Sequence, residues 1–223
     1  MTNRTPTVIV FDVNETLSDM SPLRERFVEV GAPATLAQAW FAALLRDGFA
    51  LAAAGGAAKF SVIGPHLLRQ MLPAGELTGS LDDAVNHIMA GFAALDLHPD
   101  IADGIRLLKE AKIRPVTLSN GSAEVARTLL TRAGLVGEFE ALLTVEDAPG
   151  WKPVRAAYEY AADACGVRPA DMLLIAVHPW DIHGAAQAGL RTGWLNRLNE
   201  TYPPYFEAPT YTAATLSALV AQL

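Results

Sequence analysis

Residues 7–19 read TVIVFDVNETLSD. Five β-prone residues run into Asp12, and the chain then turns through Val13, Asn14, Glu15 and Thr16. A short apolar run without alternation, bounded by turn residues, reads as a strand covered on both faces. Four further stretches share that character: 114–119, 141–145, 172–177 and 191–195. Helical patterns at 101–112, 123–133, 153–165 and 182–188 fall between or beside them. Strand and helix alternating at this spacing predict βαβ units and a doubly wound, Rossmann-like parallel sheet of the α/β class. In such sheets ligands bind outside the carboxyl ends of the strands, so a carboxylate ending the first strand is chemically informative.

Residues 19–97 break the rhythm. They show no convincing strand, and helical patterns recur at 22–30, 34–53, 65–72 and 81–94. The small, glycine-broken run at 50–58 reads as a helix end. We therefore expect a helical cap domain, 19–97, inserted into an α/β core made of 1–18 and 98–223, with hinges near Asp19 and His98-Pro99. The Pro- and Tyr-rich stretch 201–209 reads as a surface wrap before a last helix at 213–222.

Composition narrows the function classes. A chain of 223 residues buries about 70% of its unfolded surface and needs no metal or disulfide to hold it together. The hydrophobic share of 51% argues against disorder. A net charge of −7 without basic runs disfavours nucleic acid and anionic membranes as partners. The single Cys165 excludes an internal disulfide and points to the cytoplasm. The apolar run before Asp12 is too short for a signal peptide, and no run reaches the length of a membrane span. The apolar cap surface is compatible with a homodimer.

The strand ends carry the chemistry. The first supplies Asp12 and Thr16, the second Ser119-Asn120-Gly121, the third is followed by Trp151-Lys152-Pro153, and the fourth ends in His178-Pro179-Trp180-Asp181. Taken singly these are a turn residue, a helix N-cap and a surface lysine. Four consecutive strand ends with two carboxylates, an ammonium, two hydroxyls and an amide are a site. A carboxylate is a weak nucleophile until it is desolvated and oriented. Lys152 would hold Asp12 ionised, Ser119 and Thr16 would donate to its non-attacking oxygen, and N–H groups of the 13–16 turn would stabilise a developing oxyanion. Asp181 is the best-placed second carboxylate to activate water, and His178 is placed to position or deprotonate it. The remaining histidines, His66, His87, His98 and His183, form no ligand spacing, and Cys165 reads as core, so no metal or cofactor is expected.

F-D-x-x-x-T at 11–16, S-N-G at 119–121, K-P at 152–153 and W-D at 180–181 resemble the four ordered motifs of the haloacid dehalogenase superfamily. The resemblance covers nearly the whole chain and is greatest to the type II 2-haloacid dehalogenase branch, which Tyr158, six residues after Lys152, and Trp180-Asp181 also match. It implies metal-independent hydrolysis of the carbon–halogen bond of a small 2-haloalkanoic acid through an aspartyl ester on Asp12. It carries the catalytic roles over to Asp12, Thr16, Ser119, Lys152 and Asp181, and puts Asn120 near the leaving halide. Substrate or halide contacts are expected at Val13, Asn14, Trp40, Phe41, Leu45, Tyr158 and Trp180.

Asn14 decides against the enzyme alternative, a magnesium phosphatase. Phosphatases of the superfamily carry a second Asp two residues after the nucleophile, which protonates a leaving alkoxide. Asn has no such proton to give, and halide needs none. Val177 also stands where a magnesium-binding acid would be expected. The chain departs from the type II pattern at Phe41, where an arginine is expected, and at Ala176 and His178, where serine and asparagine are expected. These departures leave open a catalytically retired binding protein.

Overall fold

The computed structural model describes residues 5–223. Six strands, β1 Val8–Phe11, β2 Arg114–Ser119, β3 Ala141–Thr144, β4 Met172–Ala176, β5 Arg191–Leu195 and β6 Tyr211–Ala213, form one sheet in the order β3-β2-β1-β4-β5-β6. All pairings are parallel. β1 lies at the centre, with Phe11 opposite Thr117 on one side and Ile175 on the other. The chain winds outward from β1 to β3 and then returns to β4, so the reversal of strand order falls between β1 and β4. That crevice is where an open α/β sheet binds its ligand.

Between β1 and β2 stand five helices: α1 Leu23–Glu29, α2 Leu36–Ala53, α3 Phe60–Met71, α4 Leu81–Ala93 and α5 Ile101–Glu110. The first four make the inserted cap. The chain leaves and re-enters the core side by side, with Ser18 bridged antiparallel to Leu97. Asp19 N–H donates to Asp96 at 2.8 Å and His98 N–H to Leu17 at 2.9 Å across the same neck. The remaining helices are α6 Ala123–Arg132, α7 Arg155–Cys165, α8 Pro179–Gln187 and α9 Leu216–Val220.

Side-chain alternation along β1 splits the core into two layers. Val8 and Val10 join Leu174, Tyr158, Ile182 and the cap interior in one apolar cluster. Ile9 and Phe11 join Ile105, Leu130, Leu173 and Leu216 in the other. The sheet is thus covered on both faces, which is why its strands read as continuous apolar runs.

The structure corrects three expected elements. α3 begins at Phe60 and carries Pro65 in its interior. Burial of Phe60, Ile63, Leu67 and Leu68 along one stripe outweighs the helix-breaking tendency of proline. β6 was not expected at all: its residues are half-buried or exposed, so the edge strand has no apolar signature. The last helix accordingly starts at Leu216, capped by the Thr215 side chain. α8 starts at Pro179, a residue pre-organised for a first helical position. Asp181 therefore sits in a helical first turn instead of a loop.

Candidate active site

Asp12 follows directly on β1, its N–H donating to Ile175 at 3.1 Å. Lys152 Nζ donates to its Oδ1 at 3.0 Å and Thr16 Oγ1 to its Oδ2 at 2.6 Å. Thr16 Oγ1 itself accepts the Val177 N–H at 3.1 Å, which turns the hydroxyl proton toward Asp12. Lys152 Nζ also donates to Asp181 Oδ2 at 2.5 Å, and the other Asp181 oxygen accepts from Tyr158 OH at 2.6 Å. Lys152, Asp181 and Tyr158 are wholly inaccessible to solvent. One ammonium between two carboxylates is an arrangement that burial permits only when every charge is partnered.

The two carboxylates are driven apart in acidity. Burial pushes Asp12 up, but Lys152, His178 and the Thr16 hydroxyl outweigh it and hold Asp12 below the usual carboxylate range. Burial and the repulsion of Asp12 raise Asp181 despite Lys152. Burial works against the Lys152 charge, and its two carboxylates overcome it, leaving the lysine above its ordinary value. Asp12 is thus the more acidic of the two carboxylates.

Two expected partners do something else. Ser119 was expected to donate to Asp12; its Oγ instead accepts the Gly121 N–H at 2.9 Å, shaping the turn. Asn120 clamps the lysine loop, donating to Lys152 O at 3.1 Å and accepting Lys152 N–H at 2.9 Å. Both thereby place neighbouring residues. In the 13–16 turn, the Glu15 N–H is engaged by Ser18 Oγ at 3.3 Å.

His178 is the residue between Asp12 and open space. Its Nε2 lies 3.2 Å from the Asn14 carbonyl, 3.5 Å from Asp12 Oδ2 and 3.6 Å from Glu15 Oε2. All three neighbours are acceptors, so Nε2 carries a hydrogen. The ring stacks on Trp180 at 5.0 Å and faces Phe41 at 6.4 Å. Trp180 in turn lies 5.8 Å from Lys152 Nζ. A cavity of about 520 Å³ opens on the outer side, lined by Glu15, Arg24, Phe41, His98, His178 and Arg197 among others. Asp12 does not itself line this cavity, while its neighbour His178 does.

Of the expected substrate contacts, only Phe41 reaches this cavity. Trp40 is buried inside the cap among Phe27, Phe60 and Phe92, with its N–H donating to Gly64 O at 2.9 Å. Leu45 is half-buried against the cap interior. The Val13 side chain belongs to the core layer of Phe11. Asn14 is buried beside the Gly121 turn, and Tyr158 stands behind Asp181.

Two residues near the site were missed. The Phe60 ring would lie 3.9 Å from a Cβ on Gly121, so the cap touches the Ser119 turn; the signal was the apolar stripe of α3, misplaced by reading Pro65 as its start. Glu15 lines the cavity with its backbone left-handed at φ 63°. Nothing in its residue type announces that.

Two positions that could supply acidic metal ligands do not do so. Position 14 offers an amide and position 177 an alkyl group, and the two carboxylates already share an ammonium. Among the described residues no cluster of three or more His, Cys, Asp or Glu side chains could hold an ion. Nor is any helix long and apolar enough to cross a membrane.

Comparison with known proteins bears on the family. Haloacetate dehalogenase H-2 of Moraxella sp. (strain B) is 32% identical over 122 residues, 55% of this chain and 54% of that protein. The chain thus spans about half the length of the first curated relatives it matches. A longer match, 26% identical over 214 residues, covers 95% of this chain and 93% of an (S)-2-haloacid dehalogenase of Pseudomonas putida. A crystal structure of a dehalogenase with an intermediate complex superimposes with a TM-score of 0.90 at 26% identity, covering 98% of this chain and 97% of that one. The family model for haloacid dehalogenase-like hydrolases matches residues 6–189, from the strand that leads into Asp12 to the end of α8, and the chain belongs to that family.

Proposed function

We propose that this chain is a metal-independent hydrolytic dehalogenase acting on small 2-haloalkanoic acids through an aspartyl ester on Asp12. One observation carries the reading. A fully partnered, ionised Asp12 is aimed by Lys152 and Thr16, while the side chain two residues on is an amide. The names of the matched relatives, haloacetate and (S)-2-haloacid dehalogenases, support the substrate class.

In the first half-reaction an Asp12 oxygen bonds to the carbon bearing the halogen, and the carbon–halogen electron pair leaves with the halide. Halide is the anion of a strong acid and departs without a proton, so Asn14 suffices where a phosphatase needs an acid. Lys152 and the Thr16 hydroxyl keep the carboxylate oriented in a water-poor site, where such contacts act at low dielectric. In the second half-reaction water attacks the ester carbonyl and releases the 2-hydroxy acid. The cap supplies Phe41 to the cavity wall, an aromatic surface without charge. We therefore expect small acids to be held weakly, because Phe41 offers a substrate carboxylate no charge and the cavity's arginines, Arg24 and Arg197, stand elsewhere on its wall, Arg197 already paired with Asp100.

The test is halide release from chloro-, bromo- and fluoroacetate and from 2-chloropropionate, with and without a chelator. A single turnover in heavy-oxygen water is expected to label Asp12 and leave the first product unlabelled. Label in the first product would mean direct attack by water. Stimulation by magnesium of about tenfold, equivalent to roughly 1.4 kcal/mol, would favour the phosphatase reading instead.

A further inference from the structure

We infer that Arg197 is a positioning residue for the nucleophile: it holds the turn that carries Asp12 and Thr16, and takes its own orientation from Asp100 at the cap hinge. This deepens the dehalogenase reading above and rests on it.

The turn after β1 is tight. Val13 O accepts both the Leu17 N–H at 2.9 Å and the Ser18 N–H at 3.1 Å. The next three carbonyls, of Asn14, Glu15 and Thr16, have no backbone donor among the described residues. Glu15 stands left-handed at φ 63° in the middle of them. Asn14 and Thr16 are buried, and a buried carbonyl needs a partner. Each of the three finds one in a side chain from a different part of the fold. Asn14 O faces His178 Nε2 at 3.2 Å, Glu15 O faces His98 Nε2 at 3.0 Å, and Thr16 O accepts from Arg197 Nη2 at 3.1 Å. A carbonyl oxygen only accepts, so both imidazoles donate to it.

Thr16 is the member that bears on attack. Its hydroxyl donates to Asp12 Oδ2 at 2.6 Å, so a shift of its backbone moves the carboxylate oxygen it holds. Arg197 is placed to prevent that shift. It follows β5 on a turn closed by Asn196, whose side chain donates to Glu200 O at 2.9 Å and accepts the Glu200 N–H at 2.8 Å. Arg197 Nη1 donates to Asp100 Oδ1 at 2.7 Å, while Asp100 Oδ2 accepts the Leu216 N–H at 2.7 Å. The guanidinium is planar with donors in fixed directions, so pinning Nη1 aims Nη2. Both side chains of the pair are only 16% exposed, which limits screening. Asp100 stands two residues after His98, where the chain returns from the cap and the His98 N–H meets Leu17 O at 2.9 Å. The stretch 98–100 thus reaches the Glu15 carbonyl directly and the Thr16 carbonyl through Arg197. Burial and the Arg197 charge lower the His98 pKa, which favours a neutral ring beside the guanidinium.

A guanidinium on a cavity wall has a rival duty, gripping the substrate carboxylate, and Arg197 does line the cavity. Its bonds favour positioning: Nη1 and Nη2 are already engaged with protein, and Nε is buried.

The experiment compares the full chain with Arg197→Met, Arg197→Lys and Asp100→Asn, reading bromide release from bromoacetate. We expect Arg197→Met to lower kcat, and the single-turnover rate with enzyme in excess, by at least about tenfold, the size of one lost charged hydrogen bond. KM should stay unchanged, as for a group that acts on the transition state and not on ground-state binding. Lysine is a point charge that cannot fork, so Arg197→Lys should keep the pair with Asp100 and the melting temperature while losing rate. Asp100→Asn still accepts the Leu216 N–H but no longer pins the guanidinium by charge, and should show the same pattern more weakly. These two variants carry the test if Arg197→Met does not fold. Rate lost at unchanged melting temperature is a combination that a residue with only a structural role would not give. Full kcat in Arg197→Lys and Asp100→Asn overturns the inference while leaving the dehalogenase reading intact. So does a raised KM at unchanged kcat, which would make Arg197 the substrate's cation, and so does a rate loss that tracks melting temperature across the variants. If wild type releases no halide from any haloacid, the dehalogenase reading falls, and this inference with it.

Discussion

Lys152 is an ammonium with no access to water, shared by Asp12 at 3.0 Å and Asp181 at 2.5 Å. Removing it leaves buried carboxylates without a counter-charge, which costs about 3–5 kcal/mol. Lys152→Met should lower stability by that amount in denaturant titration and abolish turnover. The difference between wild type and mutant should depend on pH at both ends. Against the penalty of burial, Asp12 and Asp181 raise the folded lysine above 10.5, so its contribution is complete below that value and is lost as pH rises through the raised pKa. Asp12 is lowered from 3.8, so its contribution is present above that value and is lost as pH falls through the lowered one. Asp181, raised by burial, works the other way: its term favours the fold at low pH and fades as pH climbs through its pKa. A pH-independent difference would mean that the triad does not titrate with folding. Asp12, Thr16, Lys152 and Asp181 were all legible in the sequence, because the order of strand ends places them. The duties of Ser119, Asn120, Tyr158 and Trp40 were not. Each is a polar or aromatic residue whose partner is chosen by packing, and spacing along the chain does not say whose hydrogen it gives or takes.

Among the elements, α2 meets the core at Gly48. A Cβ there would stand 2.4 Å from the Trp151 ring, whose N–H donates to Ala58 O at 3.1 Å. Trp151 immediately precedes Lys152, so cap docking and lysine placement share one side chain. Gly48→Ala should overpack the contact and destabilise by roughly 1–3 kcal/mol. It should also lower kcat, read by bromide release, because Trp151 must shift; unchanged stability and rate would show that the ring has room to move. The strands were legible wherever two helical layers cover them, since burial on both faces leaves a continuous apolar run. β6 was not, because an edge strand keeps half its surface in water. α3 was displaced by trusting Pro65 as a start, when the apolar stripe beginning at Phe60 decides the helix.

For the whole molecule, the strand order has a consequence for synthesis. β1 is made first, yet its neighbours β2 and β4 begin only at Arg114 and Met172. The four cap helices, by contrast, pack on one another within a short stretch of chain, and such local contacts form early. A chain leaving the ribosome should therefore complete its cap while the segment bearing Asp12 still waits, unpaired on both edges. Ribosome-arrested chains that have just exposed residues up to 97 should protect residues 36–93 from protease and leave residues 8–11 open to cleavage. Protection of 8–11 should appear only after β4 has emerged, and protection at the shorter length would reverse this order. Lys152 and Asp181 arrive with that last stage too. On the proposed mechanism the carboxylate is armed only when nearly the whole chain is present, and an interrupted translation product would carry an Asp12 unable to attack.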